Sequence, residues 1–281
     1  MIISASRRTD IPAFYADWFF NRVKAQFVQS KNPYNQRIRQ VSLAPADVTA
    51  FVFWTKNPAP MMPRLDSLKD YMYYFQFTIT AYGPDIELHI PDKQALIIPA
   101  FQKLAEMLGP ERMIWRFDPI LMSDRYTPDY HVHTFGHIAG RLRGYTNKCI
   151  ISFVDVDYRN TKKLRLPEQN TGAQVELTKR LLDVAHGCNI TIEACAEDLN
   201  LPGIKHAKCI DGDLIAKLLG TSAPIQKDKY QRKLCGCAQS VDIGVYNTCA
   251  NGCTYCYANY QAGVVAANMA AHNPGSPLLF G

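Results

Sequence analysis

The sequence predicts an α/β fold built on a parallel sheet, of the (β/α) TIM-barrel type and either complete or partly open. Short apolar runs that read as buried strands alternate along the chain with longer segments of helical periodicity. Polar or charged residues follow nearly every apolar run, as they do at the carboxyl ends of barrel strands. No break in composition marks a second domain, so we expect residues 1–281 to form a single barrel domain.

The elements of the first half follow from apolar runs and from signals for helix starts. Asp10 is a candidate N-cap and Pro12 suits a first helical turn, so we expect a helix over 13–27. Gly109 and Pro110 form a stop signal at the end of a later helical pattern. We predict strands over 2–6, 41–43, 51–55, 73–80 and 112–117, a short helix or turn over 61–69, and a helix over 91–108.

The second half continues the same alternation. We predict strands over 149–154, 189–194 and 241–246, and helices over 127–143, 172–186, 211–219 and 259–272. Residues 222–234 are polar and are expected to form a loop. Residues 195–237 carry four cysteines, and we interpret this stretch as a cysteine-bearing insertion.

Composition restricts the class of protein. Apolar residues make up 47% and charged residues 20% of the 281-residue chain, which argues against disorder. The net charge of +6 is compatible with an anionic ligand or nucleic acid but requires neither. Met1 leads directly into an apolar run and no long apolar stretch follows, so we expect no signal peptide, no membrane partner and a cytoplasmic location.

Three cysteines near the C-terminus carry the strongest chemical signal. Cys249, Cys253 and Cys256 stand at C-x3-C-x2-C spacing, with Tyr255 directly before the last. Thiols spaced so closely in a loop converge on one soft-metal centre. A closed zinc site needs four protein ligands, whereas a 4Fe-4S cluster held by three thiolates keeps one iron open. The alternatives are a zinc site and a coincidental group of buried thiols.

The six remaining cysteines divide into two sets. Cys195, Cys209, Cys235 and Cys237 lie upstream, and four thiolates suit a second 4Fe-4S cluster or an all-cysteine zinc site. Either Cys235 or Cys237 is also a possible fourth zinc ligand for the C-terminal loop. Loose thiols without a metal are the third alternative. We expect Cys149 to lie in the core and Cys188 to have no special role.

The C-terminal pattern resembles a known superfamily. Cys249, Cys253, Tyr255 and Cys256, together with the strand over 241–246, resemble the cluster-binding loop of the radical S-adenosyl-L-methionine (SAM) enzymes. Nearly the whole chain also resembles an uncharacterised bacterial and archaeal family. That family carries Arg-Arg-Thr-Asp-Ile-Pro near its start, Phe-Trp-Thr-Lys-Asn-Pro in its second unit, and Cys-Gly-Cys and Tyr-Cys-Tyr-Ala near its end.

The position of the loop implies a circular permutation. In the superfamily the cluster loop follows the first barrel strand, whereas here it lies near the chain end. Residues 241–272 would then be the permuted first βα unit, and residues 2–6 would correspond to the second strand. Opening a barrel between two units changes its connectivity but leaves the sheet intact. The hypothesis therefore predicts that 241–246 pairs in parallel with 2–6.

The resemblance implies a reaction and its cofactors. A 4Fe-4S cluster would bind SAM and cleave it reductively to a 5′-deoxyadenosyl radical, which abstracts hydrogen from a substrate. The implied partners are SAM, an electron donor such as flavodoxin or ferredoxin, and an unknown substrate that is a small molecule, a nucleic acid or a peptide. A second, auxiliary 4Fe-4S cluster is expected at the upstream cysteines.

The resemblance also implies residues that would contact SAM. The superfamily often carries a Gly-Gly-Glu segment that holds the SAM amino group, and this chain departs from that pattern with Ser-Ala-Ser-Arg-Arg-Thr-Asp over 4–10. Arginines there would pair with the SAM carboxylate. Arg116 is an alternative for the carboxylate and Asp118 is expected at the ribose, with Tyr255 near the adenine. The full expected set is Ser6, Arg7, Arg8, Lys56, Arg116, Asp118, Glu193, Tyr255 and Tyr257.

Two other functions remain open from the sequence. One is a zinc- or iron–sulfur-binding module that binds nucleic acid without radical chemistry, although most aromatic residues fall inside predicted elements and so indicate core. The other is a metal-free barrel hydrolase that uses Asp118, Asp155 and Glu193. For the polar residues at strand ends, the simplest interpretation is a set of ion pairs around the rim of the barrel.

Overall fold

The computed structural model describes residues 1–167, 170–195, 204–221, 225–231 and 235–280. Ten strands lie in these residues: β1 (Ile2–Ala5), β2 (Phe27–Lys31), β3 (Ile38–Ser42), β4 (Ala50–Thr55), β5 (Tyr73–Thr78), β6 (Met113–Ile120), β7 (Lys148–Phe153), β8 (Thr191–Ala194), β9 (Lys205–His206) and β10 (Ser240–Asp242). Eight of them form one sheet in the order β10-β1-β4-β5-β6-β7-β8-β9. Every neighbouring pair in it is parallel.

Helices connect most of the strands. They are α1 (Ile11–Phe14), α2 (Ala16–Ala25), α3 (Ile98–Leu108), α4 (Pro128–Leu142), α5 (Arg159–Lys163), α6 (Thr171–Gly187), α7 (Gly212–Leu219) and α8 (Ala262–Ala270), with 3-10 turns at Met62–Leu68 and Pro110–Arg112 and a π-helical turn at Lys93–Ile97. Asp10 caps α1 as expected, because its side chain accepts a hydrogen bond from the Ala13 amide at 3.0 Å. Among the described residues, no helix has both the length and the apolar character needed to cross a bilayer.

The α/β class and the parallel sheet are confirmed, but strand pairing does not close the sheet into a barrel. In the described part of the chain, β9 and β10 are the two edges of the sheet. The predicted parallel neighbours are confirmed, with Ile3 opposite Val241 and Ser4 opposite Asp242. The last strand is shorter than the predicted 241–246 and begins one residue earlier, since β10 spans Ser240–Asp242. The carboxylate of Asp242, its last residue, accepts hydrogen bonds from the chain after β1.

Several predicted elements differ from the structure. The helix predicted over 13–27 is divided into α1 and α2, and Phe27 already belongs to β2. The strand predicted over 41–43 belongs to β3, which pairs antiparallel with β2 in a separate two-stranded sheet. β2, the two residues of β9 and the short α5 were not predicted, and neither β9 nor α5 carries an apolar run. Residues 222–224 and 232–234 of the predicted loop, and 196–203 of the predicted insertion, lie outside the described residues.

The two faces of the large sheet carry different side chains, because successive residues of a strand point to opposite faces. The face toward the helices is aromatic, and it includes Phe51, Phe53, Phe75, Trp115 and Phe117 in the largest core cluster. The other face is lined near the amino ends of the strands mostly by aliphatic residues, with one tyrosine among them. Ile2, Ala50, Val52, Tyr74, Ile114 and Ile150 form a second cluster there, together with Cys209, Cys235 and Cys237.

A segment between β9 and α7 covers part of this second face. The Tyr74 hydroxyl and the Gln76 amide both donate to the Cys209 carbonyl, at 2.8 and 2.9 Å. The Asp211 amide in turn donates to the Tyr74 hydroxyl at 3.0 Å. The segment therefore satisfies buried polar groups in the middle of the sheet, and the carboxyl ends of the strands remain free to form a site.

Gly244 allows the chain after β10 to approach β1 closely. A Cβ atom at position 244 would lie 1.9 Å from Ser6 Oγ and 2.5 Å from Ser6 Cβ. Real atoms do not approach so closely, so any larger residue would push the chain after β10 away from β1.

Replacing Gly244 with Ala should therefore lower the free energy of unfolding, by about 1–3 kcal/mol as for other overpacked sites. Gly140→Ala is the matched control, since Gly140 lies in α4 and its added Cβ would meet nothing within 4 Å. Alanine favours a helix over glycine by up to about 1 kcal/mol, so the control should be neutral or stabilising. Chemical denaturation measures both, and equal stabilities would contradict the close approach.

Candidate functional site

The carboxyl ends of the parallel strands surround a cavity of about 1010 Å³. Parallel strands bring these ends to one edge of the sheet, which is where α/β proteins place their sites. Eight of the nine predicted SAM-contacting residues line it, namely Ser6, Arg7, Arg8, Lys56, Arg116, Asp118, Tyr255 and Tyr257. All seven predicted metal ligands line it as well, namely Cys195, Cys209, Cys235, Cys237, Cys249, Cys253 and Cys256.

The C-terminal cysteine loop lies directly after β10 and forms one wall of the cavity. Hydrogen bonds within the loop hold its backbone, since the Cys256 amide donates to the Cys253 carbonyl at 3.1 Å and Asn259 Nδ2 donates to the Cys249 carbonyl at 2.7 Å. The Ala258 amide also donates to Cys256 Sγ at 3.3 Å. Such a donor stabilises a thiolate, which is the form of cysteine that binds metals.

Burial governs the protonation of these thiols. It raises the pKa of Cys253 to about 12 and, together with the nearby Asp10 carboxylate and the other two thiols, raises the pKa of Cys249 well above its usual value. The pKa of Cys256 is raised by burial as well. A bound cation would act in the opposite direction, because the ligand is the deprotonated thiolate.

A buried ion-pair cluster supports the loop from below. Glu87 is 1% exposed, and its carboxylate lies 2.6 Å from both Lys56 Nζ and Lys93 Nζ. The Tyr255 hydroxyl also donates to this carboxylate. The backbone of Glu87 forms an isolated antiparallel bridge with Cys253, so the residue that holds the two lysines also holds the cysteine loop.

The charges of this cluster are strongly coupled. Burial alone would raise the pKa of Glu87, but the ammonium groups of Lys56 and Lys93 overcome it and lower that pKa to about 2. Burial would lower the pKa of Lys56, yet the Glu87 carboxylate raises it. For Lys93 burial prevails and the pKa is lowered. One carboxylate thus serves two cations, and Lys56 is the better compensated of the two.

Asp242 at the end of β10 organises the chain after β1. Its carboxylate accepts hydrogen bonds from Ser4 Oγ at 2.7 Å, Ser6 Oγ at 2.8 Å and the Arg7 amide at 3.0 Å. The Gly244 amide donates to it at 2.9 Å. Three of these donors come from the opposite end of the sequence, so Asp242 fixes the position of residues 4–7 at the cavity.

The two adjacent arginines point along the cavity wall beside aromatic rings. The guanidinium of Arg7 lies 5.9 Å from the centre of the Trp54 ring, and that of Arg8 lies 5.2 Å from the Tyr246 ring. The Tyr257 hydroxyl donates to the Arg7 carbonyl at 2.6 Å. Cations held over aromatic faces keep their charge available for an anionic ligand.

Arg116 and Asp118 form a buried pair at the end of β6. Arg116 Nε lies 2.9 Å from Asp118 Oδ1, and its Nη1 lies 3.1 Å from Cys209 Sγ. Gln76 Oε1 accepts a further hydrogen bond from Nη1 at 3.2 Å. The resemblance predicts that Arg116 and Asp118 contact separate groups of SAM, the carboxylate and the ribose, whereas in the structure they contact each other.

The four upstream cysteines lie together on the inner face of the sheet. Cys195 Sγ and Cys209 Sγ are 3.3 Å apart. Hydrogen bonds with Cys195 and Cys237 lower the pKa of Cys209 well below its usual value, and a hydrogen bond with Cys237 lowers that of Cys235 to about 6. Over the residues that the structure describes, no group of three or more His, Cys, Asp or Glu side chains is arranged as a metal-binding group. The four sulfurs therefore form a row of neighbouring thiols and not a shell around one point.

Glu193 and Asp155 are two further acidic residues that the sequence predicts for the site, and they lie in different places. Glu193 is not among the described residues that line the cavity, and its carboxylate lies 2.9 Å from Lys148 Nζ. Asp211 contacts the same ammonium at 3.1 Å. Asp155 lines the cavity and is exposed. The three acids proposed for a hydrolase are therefore spread over separate contacts.

Residues 2–258 match the family described as a domain of unknown function, DUF1848. The chain belongs to this family. The expected resemblance to an uncharacterised family over nearly the whole chain is thereby confirmed, while the radical SAM assignment stays a prediction. No curated protein matches the chain.

Sequence reasoning about this DUF1848 chain missed Glu87, Lys93 and Asp242 as parts of the site. Glu87 follows β5 in a polar turn, where an acidic residue normally indicates exposure. Lys93 reaches back from the following helical turn. Only Asp242 carried a signal, since it is the one charged residue between 235 and the chain end.

Replacing Glu87 with Gln should destabilise this DUF1848 protein by about 3–5 kcal/mol at neutral pH, because the buried Lys56 and Lys93 lose their shared carboxylate. Glu176→Gln is the control, since its pair with Lys179 is exposed and 3.9 Å long. That exposed pair should contribute less than about 1 kcal/mol. Urea unfolding measures both variants, and a loss as small for Glu87→Gln as for the control would contradict the proposed role.

Proposed function

We propose that this protein is a radical SAM enzyme whose C-terminal loop holds a 4Fe-4S cluster through Cys249, Cys253 and Cys256. The observation that carries the proposal is that these three thiols line the same cavity as eight residues expected to contact SAM. The parallel pairing of β10 with β1 supports the circular permutation on which the assignment depends.

The donor set of the loop suits such a cluster. Three thiols fall within eight consecutive residues, and the loop backbone is held by its own hydrogen bonds. Three thiolates leave one iron of a cubane cluster open for a further ligand, whereas structural zinc needs a fourth protein ligand. The neighbouring Lys56 brings positive charge, which offsets part of the negative charge of bound thiolates.

The remaining residues suit the binding of an amino acid and a nucleoside. When bound, the cluster supplies the electron that splits SAM into methionine and a 5′-deoxyadenosyl radical. Arg7 and Arg8 provide cations for the SAM carboxylate at a wall fixed by Asp242. Tyr255 is held between Glu87 and the ring of Tyr82 and offers a flat side chain for the adenine.

A nucleic-acid-binding module without radical chemistry is the second candidate, and exposed aromatic residues at the cavity favour it. Most aromatic side chains are buried, as the sequence predicts, but Tyr34 is 88% and Tyr230 94% exposed while both line the cavity. Exposed rings in a cavity that also carries cations such as Arg7 and Arg8 are the means by which proteins stack single-stranded bases. Steeply salt-dependent binding of nucleic acid would favour this candidate.

Cys253→Ala should abolish the formation of 5′-deoxyadenosine from SAM by reduced, anaerobically purified protein, because two thiolates no longer hold the cluster. Cys188→Ala is the control, since Cys188 lies after α6 and does not line the cavity among the described residues. It should retain both the iron and the activity. Liquid chromatography of 5′-deoxyadenosine and iron analysis are the measurements.

Two results would contradict the proposal. Undiminished SAM cleavage by Cys253→Ala would exclude the loop as the cluster site. Colourless wild-type protein that carries zinc at this loop and cleaves no SAM would exclude the radical reaction, and it would leave the nucleic-acid module as the better account.

A further inference from the structure

The large sheet has two edges that lie near each other without a hydrogen-bonded ladder between them. β9 is one edge and β10 is the other, and each pairs with one neighbour among the described residues. An unpaired edge of a parallel sheet leaves amide and carbonyl groups without partners. In a closed barrel β9 would pair with β10 and satisfy these groups. Here the two strands do not pair, and the segments next to them make the contact instead.

The segments next to the two edges contact each other. We call residues 207–210, which follow β9, and residues 235–238, which precede β10, the seam. The Ala238 amide donates to the Ile210 carbonyl at 2.9 Å, and the Ile210 amide donates to Cys237 Sγ at 3.4 Å. The seam thus joins the two edges by one backbone hydrogen bond and one bond to sulfur.

Four thiols from three separate segments of the chain meet at this seam. Cys209 lies in one segment of the seam and Cys237 in the other. Cys195 directly follows β8, and its Sγ lies 3.3 Å from Cys209 Sγ. Cys209, Cys235 and Cys237 belong to one buried cluster against which Cys195 packs, and the amide of Ile210, next to Cys209, donates to Cys237 Sγ at 3.4 Å. Chance burial of single thiols does not bring four of them into one connected row from three separate segments.

The surroundings of the row differ from those of ordinary core cysteines. Cys149 lies in the aromatic core, where the only other cysteine packed against the same cluster of described residues is the partly buried Cys188. Cys209, in contrast, lies 3.1 Å from the guanidinium of Arg116, a buried cation that suits a thiolate better than a thiol. All four thiols also line the cavity, so an ion or cluster can reach them from solvent.

We propose that Cys195, Cys209, Cys235 and Cys237 bind a thiophilic metal centre that joins the two edges of the open sheet. Four thiolates complete a tetrahedral zinc shell or a fully ligated 4Fe-4S cluster. Each thiol releases a proton when it becomes a ligand. Binding would require the sulfurs to separate around one centre, because Cys195 Sγ and Cys209 Sγ are in contact at 3.3 Å and the described thiols are not arranged as a metal shell without the metal.

The centre does for this sheet what strand pairing does in a closed barrel. Cys209 stands three residues after β9 and Cys237 three residues before β10. A metal between them therefore cross-links the two edges of the sheet. Such a cross-link stabilises the fold because the four thiols are brought together only in the folded chain, so the metal binds the folded state and not the unfolded one.

The test separates this centre from the loop cluster. The triple variant Cys249→Ala/Cys253→Ala/Cys256→Ala removes the loop ligands and should retain one zinc or about four irons per chain. Adding Cys209→Ser/Cys237→Ser to that variant should remove this metal. Adding Cys188→Ser instead is the matched control, and the metal should remain. Elemental analysis of protein purified anaerobically gives the stoichiometry, and X-ray absorption separates zinc from iron.

Thermal unfolding supplies a second readout that does not depend on the double serine variant being folded. A strong chelator should lower the melting temperature of the triple loop variant as its metal is released, because the metal binds the folded state. A triple loop variant that carries no stoichiometric metal would overturn the proposal, and so would metal retained in full after Cys209→Ser/Cys237→Ser. Both results are independent of SAM cleavage, so this centre and the radical reaction can fail separately.

Discussion

The parallel pairing of β10 with β1 is the contact on which the rest of the site depends. It brings Val241 opposite Ile3, so the first strand of the chain and the strand that precedes the cysteine loop become neighbours in one sheet. Asp242 then uses its carboxylate to hold Ser4, Ser6 and the Arg7 amide. Without this register the cysteine loop would lie on another edge of the molecule, away from the polar ends of β4 and β6.

The second constraint is the buried ion-pair cluster of Glu87, Lys56 and Lys93. Glu87 is buried beneath the cysteine loop with two lysines, and its contact with Tyr255 positions the aromatic residue of the motif. Buried charges are costly unless they are paired and hydrogen-bonded. The cluster therefore acts as one unit, and its geometry decides where the loop can lie relative to Lys56 and the cavity.

The fold class followed from the alternation of apolar runs and helical patterns, and most of the central strands were predicted within a few residues. Two strands were missed for different reasons. β9 has two exposed residues and no pattern to read, whereas β2 was assigned to no strand because its first residue, Phe27, continued the apolar stripe of the helix predicted over 13–27. Whether the sheet closes into a barrel could not be predicted from the sequence, since hydrophobic periodicity predicts strands but contains no information on which sheet edges meet.

The sequence by itself determined the chemistry that is available: seven thiols in two sets, arginines after the first strand, and polar residues where the strands end. These follow from residue type and local spacing, which need no third dimension. Only the tertiary structure decided which groups meet, including the pairing of Arg116 with Asp118, the burial of Glu87 and the row of thiols at the seam. Such contacts depend on strand order and on the paths of loops over the sheet, and residues far apart in sequence acquire them only when the chain is packed.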